Sequence, residues 1–190
     1  MTEPRIEPLD AEAAYRAAEE ARVLEGVADL NIFRVLLRHP QLARAFSRLL
    51  GPLLFRNELD ARLRELVIMR VAWLTGSVYE WTQHWRVATD LGVVPDDLVG
   101  VRDWERYEPF GAAERAVLAA TDETVREGRV SDRTWAACAS VLDEHELLEL
   151  VAAIGCWRMV ASLLETLVVP LEDGVEPWPP DGVSPPAATR

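Results

Sequence analysis

The stretch that most constrains this chain lies between Asn57 and Leu74. Leu59, Leu63, Leu66, Val67 and Leu74 recur at helical spacing, and Val67, Ile68 and Met69 carry the apolar surface most of the way round. A helix that is apolar around most of its circumference needs neighbours on several sides. The rest of the chain offers further helices and almost no strand signal: no alternating run persists and no Asn-Gly hairpin appears. Asp10 predicts a cap for a helix from Ala11 to about Leu24, ended by Gly26. Asn31 predicts a cap for Ile32 to Arg38, halted by Pro40. A third helix, Gln41 to Leu50, places Leu42, Phe46 and Leu49 on one side and ends at Gly51-Pro52. Asn57 opens the central helix with Asp60 as its acidic first-turn partner, and Gly76 breaks it. Val78 to Leu91, Asp96 to Val101, Ala112 to Glu127 and a Ser131-capped helix to about Leu142 follow. Asp143 caps the last, Glu144 to about Leu167, with Glu146 as the capping-box acid and Pro170 as its stop. The expected fold class is all-α.

The charge balance excludes several functions. With 32 acidic and 20 basic residues the net charge is -12, which repels phosphate backbones, so no nucleic-acid partner is expected. Every basic residue is Arg, which excludes a Schiff-base lysine and a P-loop lysine. No apolar run approaches the roughly 20 residues of a membrane span, and the charged, proline-bearing start does not read as a signal peptide. A cytoplasmic protein with no membrane partner is the expectation. Cys138 and Cys156 are too few and too far apart for a disulfide framework or a zinc cluster. After Pro170 the chain has five more prolines and little to bury except Trp178, so this tail reads as loosely ordered.

The chemistry-bearing stretch is Thr75-Gly76-Ser77-Val78-Tyr79-Glu80-Trp81-Thr82-Gln83-His84. Positions three and four apart share a helix face, so Ser77, Glu80 and His84 align, with Trp81, Trp85 and Ala88 as an apolar flank. Ser77-x-x-Glu80 is also the spacing of a capping box, and Glu80 with His84 that of an ordinary i,i+4 pair. Glu65 falls near Ile68, Met69 and Ala72, facing apolar surface that should raise its pKa. A turn at Thr75-Gly76 brings Glu65 toward the face of Ser77, Glu80 and His84. Two carboxyls, a hydroxyl and an imidazole around an aromatic recess suit proton transfer. His84 has no histidine or cysteine partner at ligand spacing, so neither a metal nor another cofactor is expected.

Arg64-Glu65-Leu66-Val67-Ile68-Met69-Arg70-Val71-Ala72, then Leu74-Thr75-Gly76 and Tyr79-Glu80-Trp81 with His84, resemble the carboxymuconolactone decarboxylase and alkylhydroperoxidase D superfamily. Asn31-Ile32-Phe33-Arg34 with His39-Pro40, Val130-Ser131-Asp132 and Val169-Pro170-Leu171-Glu172 extend the resemblance. It implies a helical domain over about 28–174, an N-terminal extension over 1–27 and a tail over 175–190. It also implies an alkylhydroperoxidase D-like bundle assembled as homo-oligomers, often trimers or hexamers. Peroxidase members carry Cys-x-x-Cys, a His four residues later and a Glu twelve residues earlier. Here those positions are Ser77, Glu80, His84 and Glu65. Serine forms no sulfenic acid, so thiol peroxidase activity is not expected. Relatives of this length often read Gln-Tyr-His-Met-Val late in the chain, where this one reads Cys156-Trp157-Arg158-Met159-Val160. Arg158, in place of a second histidine, can clamp a carboxylate with two hydrogen bonds.

The resulting expectation is a cofactor-independent lyase acting on a small carboxylate or lactone. His84 is its acid or base, and Glu65 a second proton carrier or the group that orients His84. Glu80 tunes the imidazole and Ser77 holds an oxyanion. Tyr79, Trp81, Trp85 and Arg158 contact substrate. An isomerase, cyclase or dehydratase on the same site, or a non-catalytic oligomeric ligand-binding protein, are the alternatives.

Overall fold

The structure, a computed structural model, describes residues 3–23, 26–177, 181 and 183. Among them are nine α-helices and no strand: α1 (Ala11–Ala21), α2 (Asn31–Leu36), α3 (Pro40–Phe55), α4 (Ala61–Thr75), α5 (Val78–Asp90), α6 (Pro95–Gly100), α7 (Ala112–Glu127), α8 (Asp132–Ala139) and α9 (Glu144–Leu167). Two compact units share the chain, one of Met1–Arg56 with Leu163–Glu176, the other of Asn57–Ser162 with Pro177–Arg190. Their boundaries fall inside the stretch expected as one domain. The proline-rich tail lies almost wholly outside the described residues.

In the first unit α1 starts as its cap predicts, with Asp10 Oδ1 accepting from the Ala13 N–H at 2.8 Å. Asn31 departs from expectation. Leu30 holds the cap position of α2, while the Asn31 side chain donates to the Pro170 and Leu171 carbonyls at 3.2 Å each. Its backbone N–H donates to Glu172 at 2.8 Å. A distant segment thus uses the amide that the local sequence offered as a cap. Helix α3 also differs: Pro40 starts it, and it runs through Gly51-Pro52 to Phe55. Pro52 removes one helical hydrogen bond, but Leu50 and Leu53 are buried on either side of it. The buried face of α3 is Ala43, Phe46, Ser47, Leu50 and Leu53, whereas Leu42 and Leu49 are about half exposed.

The second unit is built on α4. Ten consecutive residues, Leu63 to Ala72, are buried, so the helix is enclosed on several sides as expected, with Arg64, Glu65 and Arg70 among the buried residues. It packs against α5 and α7, and α7 packs against α8. Asp60, rather than Asn57, caps α4 by accepting from the Leu63 N–H at 3.1 Å. Asn57 is drawn away by Leu59 and Arg64. Gly76, in the left-handed region at φ 76°, turns the chain from α4 into α5. The α9 cap forms as expected: Asp143 accepts from the His145 and Glu146 N–H groups, and Glu146 reaches back to the Asp143 N–H at 2.8 Å. Helix α9 is long and apolar enough to cross a membrane by length and composition alone, with mean hydropathy 1.8 over its most apolar window, of which 44% is buried inside the chain, a property that core helices share.

Candidate active site

The α4–α5 turn does what the spacing asks of it: Glu65 Oε2 lies 2.7 Å from His84 Nδ1. Glu65 has no accessible side-chain surface, while His84 keeps 15% of its own. The other oxygen, Glu65 Oε1, accepts from Arg64 Nε at 3.0 Å, and Arg64 also donates to Asn57 Oδ1 at 3.0 Å. These partners reverse the expected pKa direction. Burial pushes the Glu65 carboxyl up, but the charge and hydrogen bonds of His84 and Arg64 outweigh it and hold the group below its ordinary value. Apolar spacing alone omits Arg64, whose side chain folds inward with only 5% of its surface accessible.

A residue that spacing does not single out completes the cluster. Trp157 of α9 donates its indole N–H to His84 Nε2 at 3.0 Å, with the two rings edge-to-face at 5.7 Å and 80°. An indole N–H is only a donor, so His84 Nε2 accepts, and Nδ1 carries the hydrogen that Glu65 receives. The two contacts thus define one tautomer in this arrangement. The available sequence signal is the Trp157-Arg158 pair within the late apolar helix. Its charged member is the more conspicuous, but successive helix residues point about 100° apart. Arg158 is exposed and donates to the Thr124 carbonyl at 3.3 Å.

The remaining predicted residues sit on α5. Ser77 is its N-cap residue but makes no side-chain cap bond, so the Ser77-x-x-Glu80 capping box does not form. Ser77 Oγ is buried with no hydrogen-bond partner among the described residues, and so is Trp81 Nε1 one turn further on. Glu80 is buried at 2% exposure, and Tyr79, Trp81 and Trp85 are buried with it. Trp81 packs between Trp85 and Trp73, with ring centroids at 6.3 and 5.6 Å. The Arg102 guanidinium lies 4.8 Å from the Trp73 ring and 5.2 Å from that of Trp81. Neither Trp73 nor Arg102 is anticipated by the sequence; Arg102 stands in a 3-10 turn (Val101–Asp103) with no motif around it. Both thiols are buried and pushed up to about 11, Cys138 by burial and then Glu123, Cys156 by burial and then Glu80. Neither is a ready nucleophile at neutral pH. Among the described residues no three His, Cys, Asp or Glu side chains gather as a metal-ligand group.

Residues 40–123 match the model of the Carboxymuconolactone decarboxylase family. No curated protein matches the sequence. Among solved structures, a peroxidase-related protein from Ralstonia eutropha JMP134 with an alkylhydroperoxidase AhpD core superposes with TM-score 0.74 at 14% identity, covering 91% of this chain and 94% of that one. A peroxidase-related protein from Silicibacter sp. TM1040 gives 0.73 at 14% identity, covering 92% and 97%. The debrominase Bmp8, as a cysteine-to-alanine variant in complex with 2,3,4-tribromopyrrole, gives 0.73 at 18% identity, covering 88% and 91%. At such identities the likeness shows a shared fold and no more.

Proposed function

From a chain whose residues 40–123 are of the carboxymuconolactone decarboxylase family, and whose fold is alkylhydroperoxidase D-like, we propose a cofactor-independent lyase that moves protons through His84 on a small carboxylate or lactone. The observation that carries this reading is the buried Glu65–His84 hydrogen bond at 2.7 Å. Glu65 is wholly enclosed and His84 is not. His84 is therefore the group that meets substrate, and Glu65 is a positioning residue that holds the ring and balances the charge of the imidazolium. His84 Nε2 first takes the carboxyl proton of the substrate; the carboxylate then loses carbon dioxide, and the imidazolium returns that proton to the carbanion or dienolate left behind. Ser77 Oγ and Trp81 Nε1 share the α5 face that leads to His84. Each is a buried donor without a partner among the described residues, and a substrate oxygen would satisfy either one. Serine and glutamate at 77 and 80, with two buried and unreactive thiols elsewhere, favour this chemistry over thiol-based reduction. The homo-oligomeric assembly implied by the resemblance belongs to the same proposal.

The test offers 4-carboxymuconolactone and a panel of related small lactone acids to the parent and to His84→Ala, scoring carbon dioxide release against mass-neutral products. The variant should lose about 100-fold or more of turnover, the usual contribution of a positioned acid–base group. Equal turnover by parent and variant rejects the role of His84. Mass-neutral products alone replace the lyase with an isomerase or cyclase.

A further inference from the structure

We propose that Trp157 is a positioning residue for His84: its indole N–H fixes the imidazole in the Nδ1–H form and covers the Nε2 lone pair until a substrate oxygen displaces it. The inference deepens the proton-transfer reading and rests on it for its consequence in turnover; the masking stands on geometry alone.

Each ring nitrogen of His84 faces a group that acts in one direction only. Trp157 Nε1 donates and has no lone pair to offer, and it lies 3.0 Å from Nε2. Glu65, kept ionised by Arg64 and His84, accepts at Nδ1. The other tautomer would set two N–H groups against each other on one side and a carboxylate against a lone pair on the other. Both errors would be buried, where unmade hydrogen bonds cost most. Packing alone does not account for the contact. Trp81 and Trp104 also bury their indole nitrogens, and neither finds a partner among the described residues. Burial of a tryptophan in this chain does not by itself deliver its N–H to an acceptor, whereas Trp157, 2% exposed, is aimed at one.

The mask has a chemical consequence. When a substrate C–H or O–H bond breaks toward Nε2, the electron pair stays on the substrate and the imidazole becomes a donor on both sides. Nε2–H and the indole N–H then face each other, and an anionic oxygen between them satisfies both. A substrate that develops an enolate or carboxylate oxygen beside the abstracted proton fits this pair of donors, and a plain hydrocarbon does not.

Trp157→Phe keeps an aromatic ring and removes the donor. Diethyl pyrocarbonate acylates an imidazole nitrogen with a free lone pair, and the exposed His39 and His145 serve as internal references. In the parent at pH 7, His84 should react far more slowly than His145. In Trp157→Phe its rate should rise about tenfold, the value of one lost hydrogen bond, with His39 and His145 unchanged. An unchanged His84 rate in a folded variant overturns the proposal. If the variant does not fold, ¹⁵N spectra of the parent decide the matter. The Trp157 indole resonance, assigned by its response to His84→Gln, should move together with the His84 ring nitrogens as pH falls. An indole signal indifferent to His84 overturns the proposal. Neither measurement needs turnover. A masked His84 in a protein that catalyses nothing would reject only the lyase reading, and an unmasked His84 in an active enzyme only this one.

Discussion

Helix α4 carries two buried charged clusters five residues apart, and they are built to different ends. At Arg70 the guanidinium meets Asp122 through Nε at 2.6 Å and Nη2 at 2.7 Å, and its Nη1 reaches the Val101 and Arg102 carbonyls at 2.7 and 2.9 Å. The bidentate fork engages both Asp122 oxygens and leaves nothing to exchange. At Glu65 the partner is an imidazole whose side chain is partly accessible. One cluster ties α4 to α7 and to the turn after α6. The other joins α4 to α5 and α9 through the His84 ring. Burial of charge is common to both, so burial alone does not distinguish them; the solvent access of one member does.

The comparison breaks most sharply at Asp122. Asp122→Ala strands Arg70 in the interior, and removing one partner of a buried pair costs about 3–5 kcal/mol. Arg126, 3.3 Å from Asp122, is largely exposed and offers no rescue. Urea unfolding should show this loss, and Asp122→Asn should recover part of it. A loss under about 1 kcal/mol would mean that the fork contributes little beyond packing.

Glu65→Gln should cost less, about 2 kcal/mol at pH 7, because the amide still accepts one hydrogen bond. Its pH dependence separates the clusters. The folded Glu65 carboxyl lies below its ordinary value. Its stabilisation is therefore complete above the unfolded value near 4.3 and is lost as pH falls through the lower, folded value. The gap between parent and Glu65→Gln should close in that acid range. A gap that is flat down to about pH 2 would show that the charge of Glu65 contributes nothing.

Helical periodicity makes much of this legible. It places α4 in the core, sets the turn at Gly76, and brings Glu65 and His84 within reach across it. Caps are read less well, because Asn31 and Asn57 are equally good caps in isolation and are taken by partners that sequence does not display: the Pro170 and Leu171 carbonyls for one, Arg64 for the other. The same blindness to partners hides the direction of the Glu65 pKa. Trp157 escapes notice because it lies 73 residues from His84, and a tryptophan inside an apolar helix looks the same whether it fills space or donates to an imidazole.

The smallest effect is expected at Arg158, and it tests the helix geometry itself. The side chain is exposed and donates to the Thr124 carbonyl over 3.3 Å. Arg158→Ala should change stability by no more than about 0.5 kcal/mol. It should also leave KM for a carboxylate substrate within about twofold, because it removes no group from the Glu65–His84–Trp157 chain. Trp157→Phe, one position earlier, removes a bond at the His84 ring and, if the proton-transfer proposal holds, should shift the pH profile of turnover. The contrast between two adjacent residues depends only on their separation of about 100° around α9. A KM raised about tenfold in Arg158→Ala would mean that this arginine swings over to the substrate, and the boundary drawn around the site would have to include the exposed side of α9.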